Sequence, residues 1–247
     1  MERYGLIGYP LGHSFSRSFF SDKFSNEGIQ AEYLNFEIDS IDKLPEIIAA
    51  NPSLEGLNVT IPYKQKVIPF LDEVSKEARA IGAVNVIRVE HNGNQRRLIG
   101  YNSDMIAFSD SIEPLLKSNH RRAMILGTGG ASKAIDYALR QLGLETVFVS
   151  RFQRPGTVTY DDITPEAVHD YPVIVNCTPL GMFPNVNTCP KLPYEAMDAD
   201  NLLFDLIYNP ERTLFLEKGE EHGAVTKNGL EMLLLQALVS WEFWHES

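Results

Sequence analysis

The stretch that most narrows the possible folds is Ala123–Leu126 running directly into Gly127–Thr128–Gly129–Gly130–Ala131–Ser132. A short unbroken apolar run before a glycine-rich turn reads as a buried strand. A helical pattern through Ala134, Ala138 and Leu142 follows, closed by Gly143, and Thr146–Val149 reads as another strand. Strand, turn, helix and strand within about thirty residues have the size of a βαβ unit. This requires a parallel strand pair crossed by a helix, so the chain is of the α/β class. The turn itself has a chemical use. Where backbone must pass close to a pyrophosphate, any Cβ obstructs it, and the following helix N-terminus supplies N–H groups and a positive dipole end. Gly127 and Gly129 fill the first positions of a GxGxxG pattern, but Ser132 stands at the third. A tight structural turn is therefore the competing reading. The next strand ends in Ser150–Arg151 with Arg154 close behind. An Asp or Glu there would take a ribose 2′-hydroxyl; cations suit a 2′-phosphate, or are solvated surface arginines.

The first hundred residues also alternate strand and helix signals. Tyr4–Gly8, Tyr33–Ile38 and Leu57–Ile61 read as strands; Ser18–Glu27, Ser40–Ala50 (with Ser40 as N-cap) and Ser75–Ile81 read as helices. Val84–Glu90 and Arg96–Tyr101 flank His91–Asn92–Gly93–Asn94, a hairpin signal. A helix-like stretch near Asp104–Leu116 leads to the second unit. Further strands are expected at Val173–Asn176, Leu202–Asp205 and Ala224–Thr226, a helix start at Asn209–Pro210, and a final helix over Gly229–Trp244.

Composition excludes some partners. The 247 residues carry a formal net charge of −11, which disfavours wrapping nucleic acid or lying on an anionic membrane. An anionic ligand would need local cations or helix N-termini. The late apolar stretch Leu230–Trp241 contains Glu231 and Gln236 and is too short to span a bilayer. Cys177 and Cys189 form no CxxC pair and the histidines are scattered, so neither a disulfide nor a metal site is expected. Met1 leads straight into a strand-like run with no h-region and cleavage site, which makes the cytoplasm the expected location.

Ligands collect at strand ends in α/β domains. Asn58–Val59–Thr60–Ile61–Pro62–Tyr63–Lys64 places polar groups at such an end, and so does Gly100–Tyr101–Asn102–Ser103–Asp104. Taken singly, Lys64 reads equally as a surface lysine and Asp104 as an acid favoured by a helix N-terminus. Ser14 and Ser16, after the first strand, could hold a carboxylate or cap the next helix.

Together these segments resemble the shikimate dehydrogenase family. The matches run in order: HSxS at His13–Ser16, NVTxPxK at Asn58–Lys64, GAVN at Gly82–Asn85, N-[ST]-D at Asn102–Asp104 and GxGGASxA at Gly127–Ala134. They continue with NCTPLGM at Asn176–Met182, DLIYNP at Asp205–Pro210 and GLEMLLLQA at Gly229–Ala237. The resemblance implies an N-terminal, mixed but mostly parallel substrate domain and a Rossmann-type dinucleotide-binding domain with a cleft between them. Residues 1–104 with a returning helix 229–247 would form the first domain, and 105–228 the second. It implies reversible, NADPH-dependent reduction of 3-dehydroshikimate to shikimate by a monomer or homodimer. Lys64 and Asp104 match the catalytic pair. Ser14, Ser16, Thr60, Asn85, Tyr208 and Gln236 match substrate-binding positions. Gly127, Thr128, Gly129, Gly130 and Ala131 match the phosphate turn; Ser150, Arg151 and Arg154 match the 2′-phosphate region; Leu206 and Gly229 match contacts near the nicotinamide. The cofactor loop departs from the family's usual NRT, reading Ser150–Arg151–Phe152–Gln153–Arg154, and Arg17 stands where a proline is common. The alternatives are a quinate/shikimate dehydrogenase using NAD, and a non-catalytic nucleotide-binding sensor of the same fold.

Overall fold

A computed structural model describes residues 1–12, 15–93 and 95–246. The chain divides into two compact units, Met1–Ser103 with Gln236–Ser247, and Asp104–Leu235.

In the first unit the elements run β1 (Glu2–Gly8), α1 (Phe15–Glu27), β2 (Ala31–Glu37), α2 (Leu44–Ala50), β3 (Leu54–Val59), β4 (Glu73–Val74), α3 (Lys76–Ile81), β5 (Val86–Asn92) and β6 (Gln95–Tyr101). The sheet order is β2-β1-β3-β5-β6-β4. β1 pairs in parallel with β2 and β3, while β5 is antiparallel to both β3 and β6. The two-residue side-chain period of a strand sorts the core onto both faces. Tyr4 and Leu6 join an aromatic cluster with Phe20, Phe24, Tyr33 and Trp244. Ile7 points to the other face, with Leu57, Ile87 and Val89. Trp244 is held by more than packing: its Nε1 donates to the Ile87 carbonyl at 3.1 Å, and its ring lies 4.8 Å from that of Tyr4.

The second unit contains α4 (Ser103–Ile112, beginning one residue earlier), β7 (Arg122–Leu126), α5 (Gly130–Gln141), β8 (Glu145–Ser150), β9 (Thr157–Thr159), α6 (Pro165–Asp170), β10 (Val173–Asn176), β11 (Leu202–Asp205), α7 (Leu214–Glu221) and β12 (Val225–Lys227). α8 (Leu230–His245) starts in this unit and ends in the first. All strands pair in parallel, in the order β12-β11-β10-β7-β8-β9. A parallel sheet covered on both faces demands continuous apolar strands, and β7 obeys. Ala123 and Ile125 pack into one cluster, Met124 and Leu126 into the opposite one.

Some local expectations change. No helix starts at Asn209–Pro210; α7 begins at Leu214, because Thr213 is the residue whose side chain accepts from the Leu216 amide. Ser40 caps a 3-10 turn, Ile41–Lys43, before α2 begins with Pro45 in its first turn. β9 and α6 arise within a polar segment where periodicity carried no signal.

Candidate active site

In the first unit, the polar residues at the strand ends form one buried hydrogen-bonded chain. Asn58, at the end of β3, accepts from Tyr33 Oη at 2.8 Å and donates to Ser240 Oγ at 2.9 Å. Ser240 Oγ in turn donates to the Gln236 carbonyl at 2.6 Å and lies 3.2 Å from Ser103 Oγ. Asn85, 2 % exposed, spends both ends of its amide on Ser103: Oδ1 accepts from the backbone N–H at 2.7 Å, and Nδ2 donates to Oγ at 3.0 Å. Its carbonyl accepts from Val59 N–H at 2.8 Å. Burial raises the Tyr33 phenol's pKa, and the Ser16 hydroxyl beside it pulls the other way. The fold thus gathers Ser16, Asn85 and Gln236 around one polar seam. Thr60 follows directly on β3, its amide donating to Ile7 O at 2.9 Å. Lys64 is partly buried one turn further on, and its carbonyl accepts from Val84 N–H at 2.7 Å. Ser14 lies outside the described residues. Asp104 opens the second unit on the first turn of α4 and is 7 % exposed.

In the second unit, a cavity of about 310 Å³ opens beside the glycine turn. It is lined by Gly127–Gly129, Ser150–Phe152, Arg154, Tyr160 and the loop Cys177–Leu180. Gly127 adopts φ +106° and its amide donates to Val149 O at 2.9 Å, which binds the turn to β8. A Cβ added at Gly129 would meet nothing within 4 Å, so the space over this residue is open. Gly129 is also the N-cap of α5 and offers no side-chain acceptor to the first helical N–H groups. That arrangement suits a diphosphate. At the end of β8, Ser150 Oγ accepts from Phe152 N–H at 3.3 Å, and Arg154 donates to Thr128 Oγ1 at 3.2 Å. Among the described residues neither Arg151 nor Arg154 is paired with a carboxylate. The residues present therefore fit a dinucleotide carrying a 2′-phosphate.

The loops after β10 and β11 are tied to each other by a buried acid. Asp205, with no exposed surface, accepts from Asn176 Nδ2 at 3.0 Å, Ile207 N–H at 3.1 Å and Thr213 Oγ1 at 2.6 Å. Burial nevertheless raises its pKa to about 6, with those donors pulling it down. Asn176 Oδ1 also accepts from the Thr178 amide and hydroxyl at 3.0 and 2.6 Å, which shapes the cavity wall. Gly229 donates to Ile207 O at 3.0 Å, and a Cβ on it would stand 2.2 Å from the Leu206 carbonyl oxygen. Leu206 and Gly229 are thus brought together by backbone approach, while Tyr208 just beyond is 41 % exposed.

Beyond the residues expected from sequence, the structure brings in Asn58, Ser240, Asp205, Phe152 and the Cys177–Leu180 wall. The wall had a usable signal. β10 pairs with β7 so that Asn176 faces Leu126, and the next loop must then lie beside the glycine turn. Among the described residues, no helix is long and apolar enough to cross a membrane, and no cluster of His, Cys, Asp or Glu could hold a metal ion.

Comparison with known proteins adds to this geometry. The family model of the shikimate dehydrogenase substrate binding domain matches residues 6–87. The shikimate dehydrogenase (NADP(+)) of Carboxydothermus hydrogenoformans is 39 % identical, over 97 % of this chain and 90 % of its own length. A crystal structure of a shikimate dehydrogenase in complex with NADP+ superposes with a TM-score of 0.87 at 30 % identity, covering 100 % of this chain and 90 % of the other. The shikimate 5-dehydrogenase of Thermus thermophilus, in complex with NADP(H) and shikimate, gives 0.85 at 28 % identity, covering 99 % and 93 %.

Proposed function

The chain belongs to the shikimate dehydrogenase family, and from that premise we propose that it interconverts shikimate and 3-dehydroshikimate with NADP(H), using Lys64 and Asp104 as its acid–base pair. The observation that carries the cofactor half is the second unit's cradle: an open approach at Gly129 beside a strand that ends in Ser150–Arg151 with no acid. Gly127–Ala131 would hold the diphosphate, and Ser150, Arg151 and Arg154 the 2′-phosphate. Leu206 and Gly229 would flank the nicotinamide, which when bound supplies or accepts the hydride. The unit Met1–Ser103 with Gln236–Ser247 takes the substrate and Asp104–Leu235 the dinucleotide, a shorter returning segment than the 229–247 expected from sequence. Ser14, Ser16, Thr60, Asn85, Tyr208 and Gln236 hold the carboxylate and hydroxyls of the ring.

In the reducing direction negative charge develops on the ketone oxygen. Lys64 as an ammonium stabilises that charge and delivers a proton, while Asp104 orients the ammonium and accepts from a substrate hydroxyl. The protein works in the cytoplasm as a monomer or homodimer.

The test is the nicotinamide absorbance change with shikimate or quinate and NADP+ or NAD+. Turnover with shikimate and NADP+ well above the other combinations supports the reading. Dominant turnover of quinate with NAD+ replaces it with the quinate alternative, and absence of any turnover leaves the non-catalytic sensor.

A further inference from the structure

The loop after β8 carries an aromatic ring that joins no core. Phe152 is 66 % exposed, within a segment that is otherwise polar and cationic. It lines the cavity of the second unit together with the glycine turn. Its backbone is not loose, because its amide donates to Ser150 Oγ, a residue 6 % exposed at the end of β8. The Arg151 guanidinium carbon stands 5.9 Å from its ring centroid, so the ring has a cation on one side. An exposed phenylalanine contributes little to stability, since its apolar surface is already in water. It has no donor or acceptor for a phosphate. What it offers at the rim of a cavity is a flat π face.

The ligand that fits the rest of this cavity has one flat, uncharged, aromatic part on its adenosine side. The helix N-terminus and glycine turn serve the diphosphate, and Arg151 and Arg154 serve the 2′-phosphate. Two aromatic rings line the cavity, and of these Tyr160 is partly buried with its hydroxyl out of solvent, which leaves Phe152 as the exposed flat surface for the purine ring. We propose that Phe152 is an adenine-binding residue, taking the base against its ring, so that neighbouring side chains of this loop divide base from 2′-phosphate. The proposal rests on the reading of this cavity as the dinucleotide site. It gives the departure from the family's usual loop a function: where a small hydroxyl residue is common, this chain has an aromatic surface. Adenine is shared by NADPH and NADH, whereas the 2′-phosphate is not. Phe152 therefore contributes affinity without discrimination, and Arg151 contributes discrimination.

The experiment is calorimetric titration of the full chain, without substrate, using NADPH and NADH against the wild type, Phe152→Ala and Phe152→Trp. The expected result is an equal rise in Kd for both dinucleotides in Phe152→Ala, about 5- to 150-fold for a lost stacking contact. Phe152→Trp retains affinity for both, and the thermal midpoint of the ligand-free protein is unchanged. Unchanged affinities in Phe152→Ala, or a loss confined to NADPH, overturn the proposal. A wild type that binds neither dinucleotide overturns the cofactor reading beneath it, which the titration distinguishes because the wild-type arm fails first.

Discussion

Replacing Asp205 by Asn should make the protein more stable relative to wild type as the pH rises, although it removes an acid that accepts several hydrogen bonds. The native carboxyl is fully buried, and its pKa is raised from 3.8 to about 6. In the unfolded chain it returns to its ordinary value. Between those values the native state binds more protons than the unfolded state, so wild-type stability falls as pH rises through the window. About two pKa units at 1.36 kcal/mol each give a loss of roughly 3 kcal/mol, complete above the native pKa. Asparagine resembles the neutral acid at every pH and has no such slope. Any cost of turning the Thr213 hydroxyl toward an amide is independent of pH and leaves the slope untouched. Urea unfolding of both proteins without ligand, from pH 4 to pH 7, reads the effect, because all other titrating groups cancel in the difference. Over that range the stability of Asp205→Asn minus that of wild type should grow by roughly 2.4 kcal/mol, most of it below pH 6. A flat difference would refute the burial argument. A difference that shrinks with pH would mean that the donors from Asn176, Ile207 and Thr213 outweigh desolvation.

Arg151→Ala should raise the Michaelis constant for NADPH and spare that for NADH; equal effects in steady-state kinetics would remove the 2′-phosphate assignment. Gly229→Ala places a Cβ against the Leu206 carbonyl and should cost about 1–3 kcal/mol in thermal or chemical unfolding. An unchanged midpoint there would show that the approach is not tight. Asn85→Ala removes the acceptor of the buried Ser103 amide and one of two partners of its hydroxyl, Ser240 Oγ remaining, and should cost about 1–3 kcal/mol, with a raised Michaelis constant for shikimate. A stable variant with normal substrate kinetics would separate the seam from the site.

What could be read from sequence was what short-range physics encodes. The β7–turn–α5–β8 unit was legible because a buried parallel strand must be continuously apolar and a close turn must be glycine-rich. The β5–β6 hairpin was legible for the same local reason. β9 and α6 were not, since a short edge strand and a single capped turn leave little periodicity. Asn209–Pro210 misled because proline marks many turns besides helix starts, and the cap was Thr213. The polar seam was beyond local reasoning altogether. Asn58 and Ser240 are 182 residues apart, and only folding joins them. In sequence Asp205 is one letter of DLIYNP; its burial and its donors give it a physical role.

The most direct test of the account is the kinetics of Lys64→Ala with shikimate and NADP+, followed at the nicotinamide band alongside wild type. The account predicts a kcat lowered by about 10²–10⁴-fold, with much smaller changes in the Michaelis constants for shikimate and NADP+. A Lys64→Ala enzyme with near-normal kcat would contradict it, because the reaction would then have no proton donor at this position.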